Sequence, residues 1–165
     1  MVFFIAINAC KKTEVGEAYK QNGYYIFEGT ASSEQVVPSG ASASTGTAFF
    51  SGVYDANSGI FNYTLSWDNL LATPNNLVFR APADSGAIGL NMRSLALSGY
   101  NISDTLTGVF WSNAQLNDNE LSYLKKGQCY FVIASTSRPI GTISTANSAD
   151  GGEIRGQIRL KEIRK

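Results

Sequence analysis

Residues 61–68 alternate without interruption. Phe61, Tyr63, Leu65 and Trp67 fall on one parity; Asn62, Thr64, Ser66 and Asp68 fall on the other. Side chains of an extended chain point to opposite faces in turn, so this pattern predicts a strand with one face buried and one wet. The same logic applies near the C-terminus. Ile154, Ile158 and Leu160 share one face there, and Glu153, Arg155, Gln157 and Arg159 share the other, which predicts a half-buried strand with a solvated outer face. Across the chain, Gly, Ser, Thr and Asn punctuate apolar runs at the spacing of short antiparallel strands. Strands are expected at 24–30, 46–54, 60–67, 76–80, 89–97, 105–112, 129–135, 141–145 and 153–161.

Turn chemistry sharpens two connections. Asp55-Ala56-Asn57-Ser58-Gly59 joins two predicted strands, and Asp, Asn and Gly tolerate the backbone that tight hairpins require. Residues 117–127 read as the one helix. Asn117 or Asp118 can accept the orphan N–H groups at its start, Lys125 and Lys126 suit its negative end, and Gly127 suits a left-handed cap. About two turns of helix cannot stand alone in water, so Leu116, Leu121 and Leu124 are expected to pack it onto the sheet. Residues 31–44, small and polar, read as a loop between the first two strands. The class predicted is all-β: an antiparallel, Greek-key-like β-sandwich with one short helix.

Composition narrows the partners. The chain has 165 residues, with 13 Lys plus Arg against 13 Asp plus Glu, and no net charge. There is no basic block, which argues against nucleic acid. The charged tail at 159–165 reads as a solvated strand end. A chain of this length buries a sizeable core without staples.

The first nine residues, Met-Val-Phe-Phe-Ile-Ala-Ile-Asn-Ala, are almost wholly apolar and run into Cys10, Lys11 and Lys12. A bilayer span needs about 20 residues, so this run fits the tail of a signal-peptide core. Ile7-Asn8-Ala9-Cys10 resembles a bacterial lipobox, with Cys10 as the acylated residue. No Lys or Arg precedes Cys10, which implies a start placed too late or a fragment. The competing reading is a buried N-terminal strand with an incidental cysteine. The organisation expected is a signal remnant at 1–9, a lipidated cysteine and tether at 10–22, and one β-domain at 23–165.

The second cysteine, Cys129, lies in the apolar run 129–134 and reads as a small buried hydrophobe. A bridge to Cys10 is the alternative in an oxidising compartment. A nucleophilic thiol needs a base, usually histidine, and the chain has none. Asp55, Asp150 and Glu153 could supply oxygens to calcium, but no calcium-loop spacing is present. Among the aromatics, Phe110 and Trp111 are adjacent and must point to opposite faces of a strand, so only one can face the core. Trp111, together with Arg80, is the candidate ligand-binding surface.

Several segments, in order, resemble the chordin-type (CHRD) domain family. Glu34-Gln35-Val36-Val37-Pro38 followed by Thr45-Gly46-Thr47-Ala48 looks like its opening. Residues 54–67 are similar to its second and third strands, and 116–130 to its helix, glycine and strand. Gly152-Glu153-Ile154-Arg155-Gly156-Gln157 matches its closing motif, in which Gly152, Glu153, Arg155, Gly156 and Gln157 are given a structural role. The resemblance implies an extracellular or envelope-associated β-sandwich without an established catalytic activity. Many bacterial relatives carry a His-x-His segment, which here corresponds to residues 78–83, and a further histidine near 133–136. Both places lack histidine in this chain. The resemblance therefore carries no transition-metal site and no superoxide-dismutase-like redox role here.

The expected function is a non-catalytic, lipid-anchored binding or adhesion module of the bacterial cell envelope. It would be an outer-membrane lipoprotein that engages the membrane through its acyl chain and holds a protein or carbohydrate partner, with no cofactor, metal or nucleic acid. The alternatives are a structural or accessory subunit of an envelope assembly and, third, a divergent enzyme.

Overall fold

A computed structural model describes residues 23–40, 42–109, 116–141 and 149–165. The expected segments 1–9 and 10–22 lie outside these residues, as do Phe110, Trp111 and most of the predicted strand at 141–145.

Among the described residues eight strands form: β1 (Tyr24–Ser32), β2 (Thr47–Asp55), β3 (Ile60–Asp68), β4 (Pro74–Ala81), β5 (Leu90–Ala96), β6 (Asp104–Val109), β7 (Cys129–Ser135) and β8 (Ile154–Arg164). All pairings are antiparallel, in the order β5-β4-β7-β8-β1-β2-β3-β6. The all-β expectation holds. The two expected layers are two halves of one continuous sheet that curls over on itself. Phe50 of β2 shows why. Its ring stacks on Tyr63 of β3 at 5.6 Å and also meets Phe79 of β4 at 6.2 Å and Phe131 of β7 at 5.8 Å. Strands far apart in the sheet thus face each other across an aromatic core.

The alternating residues of β3 behave as their pattern requires: Phe61, Tyr63, Leu65 and Trp67 are all buried. The connection to β2 is held by Asp55. Its Oδ1 accepts from the Asn57 backbone N–H at 2.9 Å and its Oδ2 from the Ser58 hydroxyl at 2.8 Å, while Gly59 adopts φ +70°. The N–H bond from Asn57 leads in holding the Asp55 carboxyl below its usual pKa.

The helix α1 spans Asp118–Lys125. Asn117 caps it reciprocally: its side chain accepts from Glu120 N–H at 2.9 Å, and the Glu120 carboxylate accepts from Asn117 N–H at 3.1 Å. Gly127 takes φ +68° just beyond the end. Leu116 and Leu124 are buried, and Leu121 packs partly buried against the core.

Residues 31–44 depart from the loop expected there. Ala31 and Ser32 extend β1 because they find partners on both sides, Ala48 and Thr47 on β2 and Gly156 and Arg155 on β8. A short 3₁₀ turn, Ser33–Gln35, follows. The chain then lies against the sheet, burying Val36, Ser42 and Ser44. Small side chains let this backbone approach closely.

Candidate functional site

The outward-facing residues of β4, β7 and β8 are not in water. Register places Arg80 opposite Tyr130, Tyr130 opposite Gln157, and Val132 opposite Arg155. Chain segments around Ala83, Ile140 and Asp150 close over this face, and Ala83, Tyr130 and Val132 form a second apolar cluster there. Strand β7 is therefore buried along its whole length.

This corrects the expected wet face of the closing strand at all but Arg159, which is exposed. Glu153 is 0 % exposed, Arg155 1 % and Gln157 6 %. It also corrects Arg80, expected on a ligand-binding surface: its side chain is 0 % exposed and fully engaged. Arg80 Nη1 donates to Asp150 Oδ1 at 2.9 Å, and its Nε donates to Asn91 Oδ1 at 2.7 Å. Arg155 Nη1 donates to Asp150 Oδ2 at 2.6 Å. Tyr130 Oη donates to Asp150 Oδ1 at 2.6 Å and accepts from Gly89 N–H at 3.0 Å. The Arg155 guanidinium lies 3.7 Å from the centroid of the Tyr130 ring. One aspartate thus gathers two arginines and a tyrosine from three strands. A charge buried this deeply is tolerated only when it is so partnered.

The Tyr130 hydroxyl is pushed up to about 12, first by burial and then by its bond to Asp150, so it stays a neutral donor at physiological pH. Cys129 is a free and fully buried thiol, and burial pushes its pKa up, away from the thiolate that nucleophilic chemistry needs.

The remaining closing-motif residues are structural in detail. Gly152 has φ +77°, and a Cβ there would run into Val132 Cγ1. A Cβ on Gly156 would come within 2.8 Å of the Phe131 ring. Gln157 Nε2 donates to Ala83 O at 2.9 Å and Gly127 O at 2.7 Å. Glu153 Oε1 accepts from the Ser44 hydroxyl at 2.6 Å and from Leu71 N–H. Glu153 Oε2 and Gln157 Oε1 have no partner among the described residues.

The three carboxylates weighed for calcium are thus apart in role: Asp55 shapes a hairpin, Asp150 holds guanidiniums and Glu153 anchors a loop. Among the described residues, no three His, Cys, Asp or Glu side chains converge as metal ligands.

A second surface, missed from the sequence, lies on the outer side of β1, β2, β3 and β6. Thr30, Phe49 and Ser66 align in register, and Ser66 pairs with Thr105; Glu28, Ser51, Thr64 and Thr107 form the next row. Phe49 is 46 % exposed and Val53 39 %. The Thr105 hydroxyl donates to Ser66 Oγ at 3.0 Å. A shallow depression of about 380 Å³ beside Phe49 is bordered by Thr30, Thr47, Ser66 and Asp68. Strict alternation around Phe49 and Phe50 was the available signal, since only one of two adjacent aromatics can enter the core. The other sequence candidates, Cys10 and Trp111, lie outside the described residues.

No curated protein and no solved structure matches the chain. The CHRD domain family matches residues 27–158, from β1 to the core isoleucine of β8. That span takes in Arg80, Tyr130, Asp150 and the Gly152–Gln157 motif that builds the buried cluster; the chain belongs to the CHRD domain family.

Proposed function

We propose that this CHRD-type β-module works as a non-catalytic, lipid-anchored binding protein of the bacterial cell envelope, and that its partner is a neutral polysaccharide held on the outer face of β1, β2, β3 and β6. The observation that carries this is Phe49: an aromatic ring 46 % exposed in the middle of a sheet face whose neighbours are Thr30, Ser51, Thr64, Ser66, Thr105 and Thr107. A ring offers an apolar platform for the C–H face of a sugar, and flanking hydroxyls both donate and accept. The rows nearest Phe49 are hydroxyl-rich and bear little charge, which suits a neutral polymer better than an ionic one. Asp150 is spent on Arg80, Arg155 and Tyr130, which gives this carboxylate a structural role and supports a binding module over an enzyme.

The anchor in this reading is the acylated Cys10, with residues 10–22 as tether and the outer membrane as the site. One acyl signal and a short tether would leave the sheet face free for a partner. Metabolic labelling with a fatty acid should mark the wild type and leave Cys10→Ser unlabelled; equal labelling removes the anchor. For the partner, full-length Cys10→Ser protein is sedimented with insoluble β-glucan, chitin and peptidoglycan. Retention by one polymer that is lost in Phe49→Ala is expected. No retention by any, or retention indifferent to Phe49, overturns the reading.

The second reading is a subunit of an envelope assembly. It is favoured by the edge strand β5, where Leu90 is 67 % exposed and Leu95 41 %. Such an edge accepts a partner's strand. Sedimentation of the purified protein as a stable oligomer, abolished by Leu95→Lys, would support it.

A further inference from the structure

A cleft of about 250 Å³ opens between the 3₁₀ turn region and the loop at 84–86. Glu34, Val37, Ser39 and Ser85 border it, and the buried side chains of Arg155 and Gln157 line it. Two polar groups there are under-used. Gln157 Oε1 is buried and has no partner among the described residues, although its Nε2 makes two good bonds that settle the amide's orientation. Arg155 spends Nη1 on Asp150, whereas its Nη2 makes only a long 3.4 Å contact with Asp84 O. Glu153, two residues along the same strand face, is held by Ser44 and Leu71 and forms no ion pair with Arg155. A guanidinium with spare donors and a rim carboxylate thus border one cleft, with the unpaired amide oxygen closed to solvent behind them. Such a set matches a molecule that carries an anion and a cationic donor side by side.

We propose that this cleft binds a free α-amino acid. Its carboxylate takes the Nη2 donors of Arg155, and its ammonium pairs with the Glu34 carboxylate. Val37 gives the side chain an apolar wall, and the hydroxyls of Ser39 and Ser85 stand at the mouth. A phosphate is disfavoured because its double negative charge would face Glu34.

The test is thermal unfolding of the full chain, with Cys10→Ser to exclude lipid, against glycine, alanine, serine, glutamine and leucine. Acetate and methylamine serve as the two half-ligands. A saturable rise in Tm with at least one amino acid, and none with either half-ligand at equal concentration, is expected. Ser39→Trp fills the mouth without touching the buried cluster and should abolish the rise. Glu34→Gln should weaken apparent affinity a few-fold, the scale of one exposed ion pair, without changing the ligand-free Tm. Phe49→Ala should leave the response intact, which separates this site from the polysaccharide face. No rise with any amino acid, a rise matched by acetate, or a rise that survives Ser39→Trp would overturn the proposal.

Discussion

Arg155 reaches Asp150 at 2.6 Å, and neither side chain is more than 2 % exposed. The pair is five residues apart in sequence, yet it binds a loop to the middle of the sheet. Because Asp150 also holds Arg80, replacing it with Asn strands two guanidiniums at once. Breaking a buried pair typically costs about 3–5 kcal/mol. Asp150→Asn should therefore lower unfolding free energy by at least that amount in urea titrations, more than Asn91→Ala, which removes only one of Arg80's acceptors. A loss under about 1 kcal/mol would mean that water reaches the cluster.

Tyr63 and Tyr130 are both pushed up to about 12, in each case first by burial. Their ordinary value is 10.0. Folded values above unfolded ones mean that the native state holds the protons longer. The stability they contribute is whole below pH 10 and falls as pH climbs towards 12, because the unfolded chain releases its protons first. Unfolding free energy should decline over that window, and absorbance titration should show these two phenols ionising late. Tyr63→Phe should flatten the decline without disturbing Asp150.

Phe49 and Phe50 are neighbours with opposite duties. Phe50 is 0 % exposed and packs against the rings of Phe61, Tyr63, Phe79 and Phe131, so Phe50→Ala should cost about 3–5 kcal/mol. Phe49→Ala removes an exposed ring and should change stability by about 0.5 kcal/mol or less. Paired chemical-denaturation curves read the difference directly. Similar losses for both would show that Phe49 is covered.

The capping box offers a local test. Asn117→Ala removes the acceptor of Glu120 N–H and should cost about 1 kcal/mol. Asn117→Asp keeps that acceptor and should retain most of it. Amide exchange across Asp118–Lys125 would speed up in the first variant and not in the second.

At Gly152 the sheet meets the loop with no room for a methyl group. Gly152→Ala combines φ +77° with a collision against Val132, two unfavourable effects at one position. It should destabilise more than Gly86→Ala, where φ is +84° but nothing lies near the added carbon. Midpoints of thermal unfolding would rank the two.

Local pattern was sufficient for much of this fold. Period-two alternation located β3 and the face it buries, Asp55 to Gly59 marked the hairpin, and Asn117 to Gly127 marked the helix with its caps. These features depend on residues within one or two turns of each other, so the chain states them locally. The burial of Arg80, Glu153, Arg155 and Gln157 did not follow. Polarity alone placed those side chains in water, because nothing in β4 or β8 announces that Asp150 and the loops around Ala83 and Ser42 will close over them. Only the curled sheet, by bringing residues 80, 130 and 155 into neighbouring register, let one carboxylate bond all three. A charged residue is buried when its partner arrives from elsewhere in the chain, and that arrival is a property of the tertiary structure.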